Sequence, residues 1–340
     1  MYARRLHFSS IWHGNLLFSD CQGKMKHMET VRAVFCFDEN LTAQVQAAVA
    51  SLLTAGAGED VRLEVHCVCT REACVVEDAL SGLMRKIDET AELVMHCVEN
   101  LYAGAYEVRG ISAGAYLRLL LHRVLPDVDK VLYLDVDILV RESLLPLWQT
   151  ELGNNLLAAV KGPVNLADKW EWNSERPYWN LLAGMRGGYI NSGVLLLNLA
   201  EIRRQQIDGQ WEKLAQQKLY YQDQDILNIT CQGKIVYLPP KYNSLAYLSV
   251  EDYRQMVAED IFTEDESAQA QERPVILHYA GEKPWKRYDT NRGFVWWDFV
   301  KSYPELYALF DEEKARKYHG PTVFERGLRK LRKLLSREKL

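Results

Sequence analysis

Lys130-Val131-Leu132-Tyr133-Leu134-Asp135-Val136-Asp137-Ile138-Leu139-Val140 is the segment around which this chain is organised. Four residues suited to a buried strand, Val131 to Leu134, run into two carboxylates one residue apart, and a second apolar run follows. On an extended backbone residues i and i+2 share a face, so Asp135 and Asp137 are expected to stand together at the end of a strand built for burial. Two unpaired carboxylates there are costly unless a cation or strong donors compensate them. Hard oxygen ligands suit magnesium or manganese, so a divalent metal carrying phosphates is one reading. A strand that closes on two solvated aspartates is the other.

Working outward, Val31-Arg32-Ala33-Val34-Phe35-Cys36-Phe37 reads as a first strand ending at Asp38-Glu39-Asn40. An Ala-rich stretch with helical spacing (41–55) and a turn at 56–58 follow, then a strand (63–69), a helix (73–89), a strand (92–98) and a helix (112–124). Such alternation predicts an α/β fold of parallel βαβ units, a doubly wound sheet flanked by helices. Ligands of these sheets sit beyond the carboxyl ends of the strands, which draws Asp38, Asn40, Asp135 and Asp137 into one predicted crevice. Further on, a strand is expected at 193–199, helices near 200–218 and 222–231, a strand at 235–238 and a loop opened by Pro239-Pro240. Trp296, Trp297 and Phe294 read as core.

The chain has 340 residues, 48% hydrophobic and 26% charged, an ordinary composition for a soluble enzyme. Its net charge of −5 gives no reason to expect nucleic acid. No apolar stretch approaches the ~20 residues that span a bilayer, and none in the first thirty residues suits a signal peptide, so a cytoplasmic chain is expected. Seven cysteines do not make a disulfide scaffold. Cys67, Cys69 and Cys74 cluster beside His66, but no second ligand pair stands at zinc spacing, and 63–69 reads better as a buried strand in which cysteine packs as a small hydrophobe.

Four segments, in order, carry a resemblance. They are Tyr133 to Asp137, Gly188-Tyr189-Ile190-Asn191-Ser192-Gly193 with the apolar run to Leu199, Tyr221-Gln222-Asp223-Gln224-Asp225-Ile226-Leu227-Asn228, and His278-Tyr279-Ala280-Gly281-Glu282-Lys283-Pro284-Trp285. Together they resemble glycosyltransferase family 8, which includes bacterial lipopolysaccharide galactosyl- and glucosyltransferases and glycogenin. The resemblance covers about residues 31–290. It implies a GT-A fold, a UDP-glucose or UDP-galactose donor, a glycan or glycolipid acceptor, a manganese ion (magnesium as second choice) and retention of anomeric configuration. Carried over residue by residue, Asp135, Asp137 and His278 match the metal ligands. Asp38 and Asn40 match uridine contacts, and Arg118 the arginine on donor sugar and phosphate. Lys283 matches the diphosphate contact, and Asn191, Asp223 and Gln224 the positions around the sugar, with Gln224 at the reacting face.

Two departures stand out. The segment from His278 to Lys283 is one residue shorter than in much of the family. Gly162 stands where the best-known members place an aspartate near the acceptor, with Asp168 the nearest substitute. Blander roles are available too: Asn191 as a permissive turn residue, Asp225 as a first-turn acid of its helix, and Trp170, Trp172, Tyr178 and Trp179 as pins for a long loop rather than sugar platforms. Haloacid-dehalogenase-like phosphatases also open on an apolar strand and Asp-x-Asp. They need a following Thr or Ser motif and paired acids, which Ile138-Leu139-Val140 and the later sequence do not supply. A non-catalytic nucleotide-sugar-binding protein is the remaining alternative, disfavoured because metal ligands, Lys283 and Gln224 are all present.

The expected division is an N-terminal extension (1–30), in which Met25 or Met28 is the favoured natural start, a catalytic domain (31–290) and a C-terminal helical region (291–340). Residues 322–340 carry seven Lys/Arg against Glu325 and Glu338, with Phe324, Leu328, Leu331 and Leu335 at helical spacing. That pattern predicts a basic amphipathic helix suited to the inner face of the plasma membrane, the alternative being a helix packed on the body.

Overall fold

The computed structural model describes residues 29–56, 61–99, 102, 105, 113–166, 185 and 187–318. Met25, Met28, Asp168, the aromatic group from Trp170 to Trp179 and the basic stretch 322–340 lie outside the described residues.

Strands β1 (Glu29–Phe37), β2 (Val61–Thr70), β3 (Glu92–Val98), β4 (Lys130–Leu134), β6 (Leu157–Lys161), β7 (Ile190–Asn198) and β8 (Ile235–Tyr237) form one sheet in the order β3-β2-β1-β4-β7-β6-β8. β7 runs antiparallel to both β4 and β6; the other pairs are parallel. The central strands are apolar on both faces because both faces are covered. In β1, Val31, Ala33, Phe35 and Phe37 join the core under helices Thr42–Gly56 and Glu77–Ile87. Val34 and Cys36 join the opposite core, under Leu199–Gln205, Asp208–Ala215 and Gln222–Cys231.

Strand order reverses at β1: the chain winds outward through β2 and β3, then returns to pair β4 on the other side, with Phe35 opposite Leu134. A crevice opens at such a reversal, between the carboxyl ends of the two strands. Asp38 and Asp135 stand at those ends.

A second sheet, in the order β5-β10-β9, consists of β5 (Ile138–Val140), β9 (Ser244–Leu245) and β10 (Ile276–His278). The chain must therefore change sheets between Leu134 and Ile138. Asp135-Val136-Asp137 is the turn that does so: the acids follow the end of β4 instead of alternating along an extended strand, which corrects the expectation from i, i+2 alternation. Other helical expectations are refined the same way. Residues 71–76 and 113–120 are 3-10 segments, and the run near 200–218 breaks at Gln206, which is left-handed (φ 51°). Trp296 and Trp297 are buried against helix Thr42–Gly56 and the second sheet, but Phe294 is 61% exposed and is not core.

Candidate active site

Backbone pairing assembles the acids and the histidine. In the second sheet His278 lies opposite Ile138, and Tyr279 N donates to Asp137 O at 2.8 Å, so His278 is held beside the turn that carries the aspartates. β7 closes the other side: Val194 faces Leu134, and Asp135 N donates to Gly193 O at 2.8 Å. One ligand atom each from Asp135, Asp137 and His278 lie within 4.8 Å of one another.

A chain of hydrogen bonds fixes which imidazole nitrogen faces the acids. The Gly193 backbone N–H can only donate, and it donates to Asn191 Oδ1 at 3.0 Å. Asn243 Nδ2 donates to the same oxygen at 2.8 Å, which leaves Asn243 Oδ1 as an acceptor, 2.8 Å from His278 Nδ1. Nδ1 therefore carries the proton, and Nε2 points at the carboxylates, 3.2 Å from Asp137 Oδ1 and 3.6 Å from Asp135 Oδ2. Asp137 Oδ1 is buried without an aligned hydrogen bond. An orphaned carboxylate oxygen and an imidazole nitrogen converging on one point, with Asp135 beside them, fit a divalent cation.

Gly193 is required by this convergence. A Cβ there would overlap His278 Cε1 and stand 2.8 Å from Asp135 Oδ2. Lys283 reaches the site despite its shortened spacing: Nζ donates to Asp137 Oδ2 and, at 2.6 Å, to Tyr279 O. Burial opposes the Asp137 charge, yet the Lys283 ammonium beside it outweighs this and holds its carboxyl well below the usual carboxylate range.

Arg118 ties the acids to the strand opposite. It donates to Asp135 Oδ1 at 2.9 Å and to Ser192 O at 2.7 Å, lies 3.0 Å from Asp223 Oδ2, and stacks on Tyr133 at 4.4 Å. Burial disfavours its charge, but Asp135 and Asp223 more than compensate and push its pKa up. Tyr133 completes the clamp by donating to Asp135 Oδ1 at 2.5 Å. Asp223 is raised to about 6, chiefly by burial, with Arg118 lowering it and Asp135 raising it.

Gln224 is fixed as firmly. Its Oε1 accepts from Asn191 Nδ2 and Ser192 N, both at 3.1 Å, and its Nε2 donates to Tyr189 Oη at 3.0 Å. Asn191 has an ordinary negative φ, so a permissive backbone is not its role; its side chain links Gln224 to Asn243. Asp225 has the helix-start role expected of it, accepting from Tyr221 N at 2.7 Å. Gln222, just before Asp223, is left-handed (φ 48°), a strained conformation for a non-glycine residue.

Arg118, Asp135, Asp137, Asn191, Asp223, Gln224, His278 and Lys283 line a cleft of about 510 Å³ that also takes in Asp38, Asn40 and Gly162. Asp38 accepts from Asn40 N at 3.0 Å and caps the turn Glu39–Leu41, leaving the Asn40 side chain exposed. Every expected site residue except Asp168 is thus described, and all border the one cleft. Asn243, Tyr133 and Ser192 were not anticipated. For Asn243 the only local signal is its place just before a short strand. Asn243→Ala is expected to free the His278 ring and raise the Mn²⁺ dissociation constant about 10–100-fold, as loss of an orienting partner does, by calorimetric titration; unchanged affinity would remove the orienting role.

The fold thus sets a crevice at the strand-order reversal beside an Asp-Asp-His donor set that could hold a divalent cation. Residues 32–289 match the family described as Glycosyl transferase family 8, and the chain belongs to that family. It is 32% identical over 205 residues to the lipopolysaccharide glucosyltransferase WaaO of Escherichia coli K12, covering 58% of this chain and 52% of that one. It is 29% identical over 177 residues to the lipopolysaccharide 1,3-galactosyltransferase of Salmonella typhimurium, covering 50% and 48%. The matches thus span about half the length of these curated relatives. The galactosyltransferase LgtC, solved with donor and acceptor sugar analogues, aligns over 82% of this chain and 96% of its own, at 30% identity and a TM-score of 0.62. The fold is of GT-A type.

Proposed function

We propose that the chain transfers glucose or galactose from a UDP-sugar to a glycan or glycolipid acceptor, in synthesis of lipopolysaccharide or another bacterial surface polysaccharide, with retention of configuration. The observation that carries this reading is the convergence of Asp135, Asp137 and His278 Nε2 in a cleft that Asp38 and Asn40 also line. Family membership and the alignment with LgtC support it.

Asp135, Asp137 and His278 would hold manganese, which supplies Lewis acidity to the diphosphate leaving group. Lys283 adds a second positive charge where negative charge develops. Asp38 and Asn40 take the nucleoside, and Arg118 holds Asp135 and Asp223 in place while facing donor sugar and phosphate. Both lone pairs of the Gln224 amide oxygen are in use, so this side chain is a fixed polar surface rather than a free nucleophile. Same-face, ion-pair-like substitution follows as the preferred route, with Asp223 on the sugar hydroxyls. A glycosyl adduct trapped on Asp223 or a neighbour would contradict it.

The test is a screen of UDP-hexoses for UDP release with Mn²⁺, with and without acceptor lipids. Acceptor-stimulated release from UDP-glucose or UDP-galactose is expected; no release from any UDP-hexose would overturn the reading.

Asp223 supplies a pH dependence. Its carboxyl is ionised above about 6 and neutral below, so kcat/KM for the donor is expected to fall as pH drops through about 6. In Asp223→Asn that limb should vanish and activity stay low throughout. Because the folded pKa is raised, the charge destabilises the ligand-free fold. That cost grows as pH rises from about 4 to about 6 and is complete above.

No helix among the described residues is long and apolar enough to cross a membrane. A cytoplasmic enzyme held at the inner face of the plasma membrane by 322–340 accords with a glycolipid acceptor and the basic amphipathic pattern there. Deleting 322–340 is expected to abolish co-sedimentation with anionic vesicles; unchanged binding would contradict the anchor. The division at 30/31 and 290/291 stands as part of this proposal.

A further inference from the structure

Three thiols meet at the carboxyl ends of β2 and β3, outside the cleft residues described above. Cys69 and Cys97 are register partners on these two parallel strands, so their side chains share a face. Cys74 comes back onto that face from the 3-10 segment Arg71–Val76. The three sulfurs lie within 4.8 Å of one another, and Cys69 Sγ is 3.4 Å from Cys74 Sγ. The sequence expectation of a buried strand holds for Cys67 and Cys69. Cys74, beyond that strand, is joined to Cys97 in a disulfide with Cα atoms 6.1 Å apart, inside the usual range.

Exposure is graded across the group: Cys69 is buried, Cys74 half-buried and Cys97 exposed. Burial, aided by Glu77, pushes the Cys69 thiol up to about 11, so it stays protonated at neutral pH and is a poor nucleophile. Cys36, Cys67 and Cys231 are buried, and burial pushes each thiol up as well. Among the described cysteines, then, oxidant first meets Cys97, and the thiol in linking position is Cys74.

We propose that Cys74 and Cys97 form a reversible disulfide site oxidised by hydrogen peroxide, with Cys69 as a resident third thiol. The Cys97 thiolate attacks one peroxide oxygen; the S–O bond forms, the O–O bond breaks and hydroxide leaves. The Cys74 thiolate then attacks that sulfur; the S–S bond forms, the S–O bond breaks and a second hydroxide leaves. With the two thiol protons this gives two waters, two electrons having passed from the thiols to peroxide. A dithiol reductant returns both thiols. The product pins the edge strand β3 to the segment 71–76, whose neighbour Thr70 donates to Glu39 Oε2 at 3.2 Å, in the turn that follows Asp38.

The test uses the full chain, reduced, freed of reductant in the presence of a chelator, titrated with hydrogen peroxide, alkylated and mapped by mass spectrometry. A Cys74–Cys97 linked peptide is expected at peroxide doses that leave Cys36, Cys67 and Cys231 alkylatable, and dithiothreitol should abolish it. Cys97→Ser, at an exposed position, should remove that peptide and raise at least severalfold the dose needed to oxidise Cys74. The proposal is overturned if Cys97 passes to sulfinic or sulfonic acid while Cys74 stays alkylatable, or if no thiol of the three reacts before the buried ones. Zinc retained stoichiometrically before chelation and lost in Cys97→Ser would also overturn it, in favour of a thiolate metal site.

Discussion

Asp137→Ala is expected to lower UDP release from a UDP-hexose by about 10³-fold, or about 4 kcal/mol of transition-state stabilisation, while the chain stays folded. Asp137 is the acid most deeply committed to the site: one carboxylate oxygen holds Lys283, and the other is buried facing His278 Nε2. Without it the proposed cation site loses a charged ligand and Lys283 its anchor. Lys283 is part exposed and can turn to water, so the cost in stability should stay near 1–3 kcal/mol. Since the folded pKa of Asp137 is depressed, its stabilising contribution is present above the ordinary carboxylate pKa and lost as pH falls. The melting-temperature gap between wild type and variant should therefore narrow on acidification below about pH 4. Activity within a few fold of wild type would contradict the role.

Gly193→Ala is expected to be nearly as damaging without removing any ligand. The added methyl would overlap the His278 ring, which cannot step aside: Asn243 holds its Nδ1 and β10 holds its backbone. Overpacking of this kind costs about 1–3 kcal/mol in stability. Displacing Nε2 by even ~1 Å should cost about 100-fold in kcat/KM. Turnover and Mn²⁺ affinity measured on the same preparation give the check. Normal values for both would show that the close approach of β7 to His278 is dispensable.

What could be read from the sequence was what local pattern encodes. Short apolar runs located the central strands, and the crevice followed because Asp38 and Asp135 each stand just past such a run. The geometry of Asp135 and Asp137 was not local. Their convergence comes from a change of sheet, and that change is dictated by β5 pairing with a strand at 276–278. For the same reason Asn243 and the Arg118 clamp escaped notice: their partners are 35 and 74 residues away. Gly193 read as part of a turn motif, whereas its lack of a side chain answers a ring from the far end of the domain. Helical spacing marked the described part of 112–124, residues 113–124, but could not separate 3-10 from α geometry. Phe294 was misread because apolar identity says nothing about direction at the first turn of a helix.

Calorimetric titration of UDP into the chain, with Mn²⁺ and then with excess chelator, tests the central claim most directly. Metal-dependent binding that weakens at least about 100-fold in chelator, and equally in His278→Ala with metal present, is predicted. Equal UDP affinity in metal and chelator, with turnover persisting in chelator, would contradict the assignment of Asp135, Asp137 and His278 as the site that holds the diphosphate.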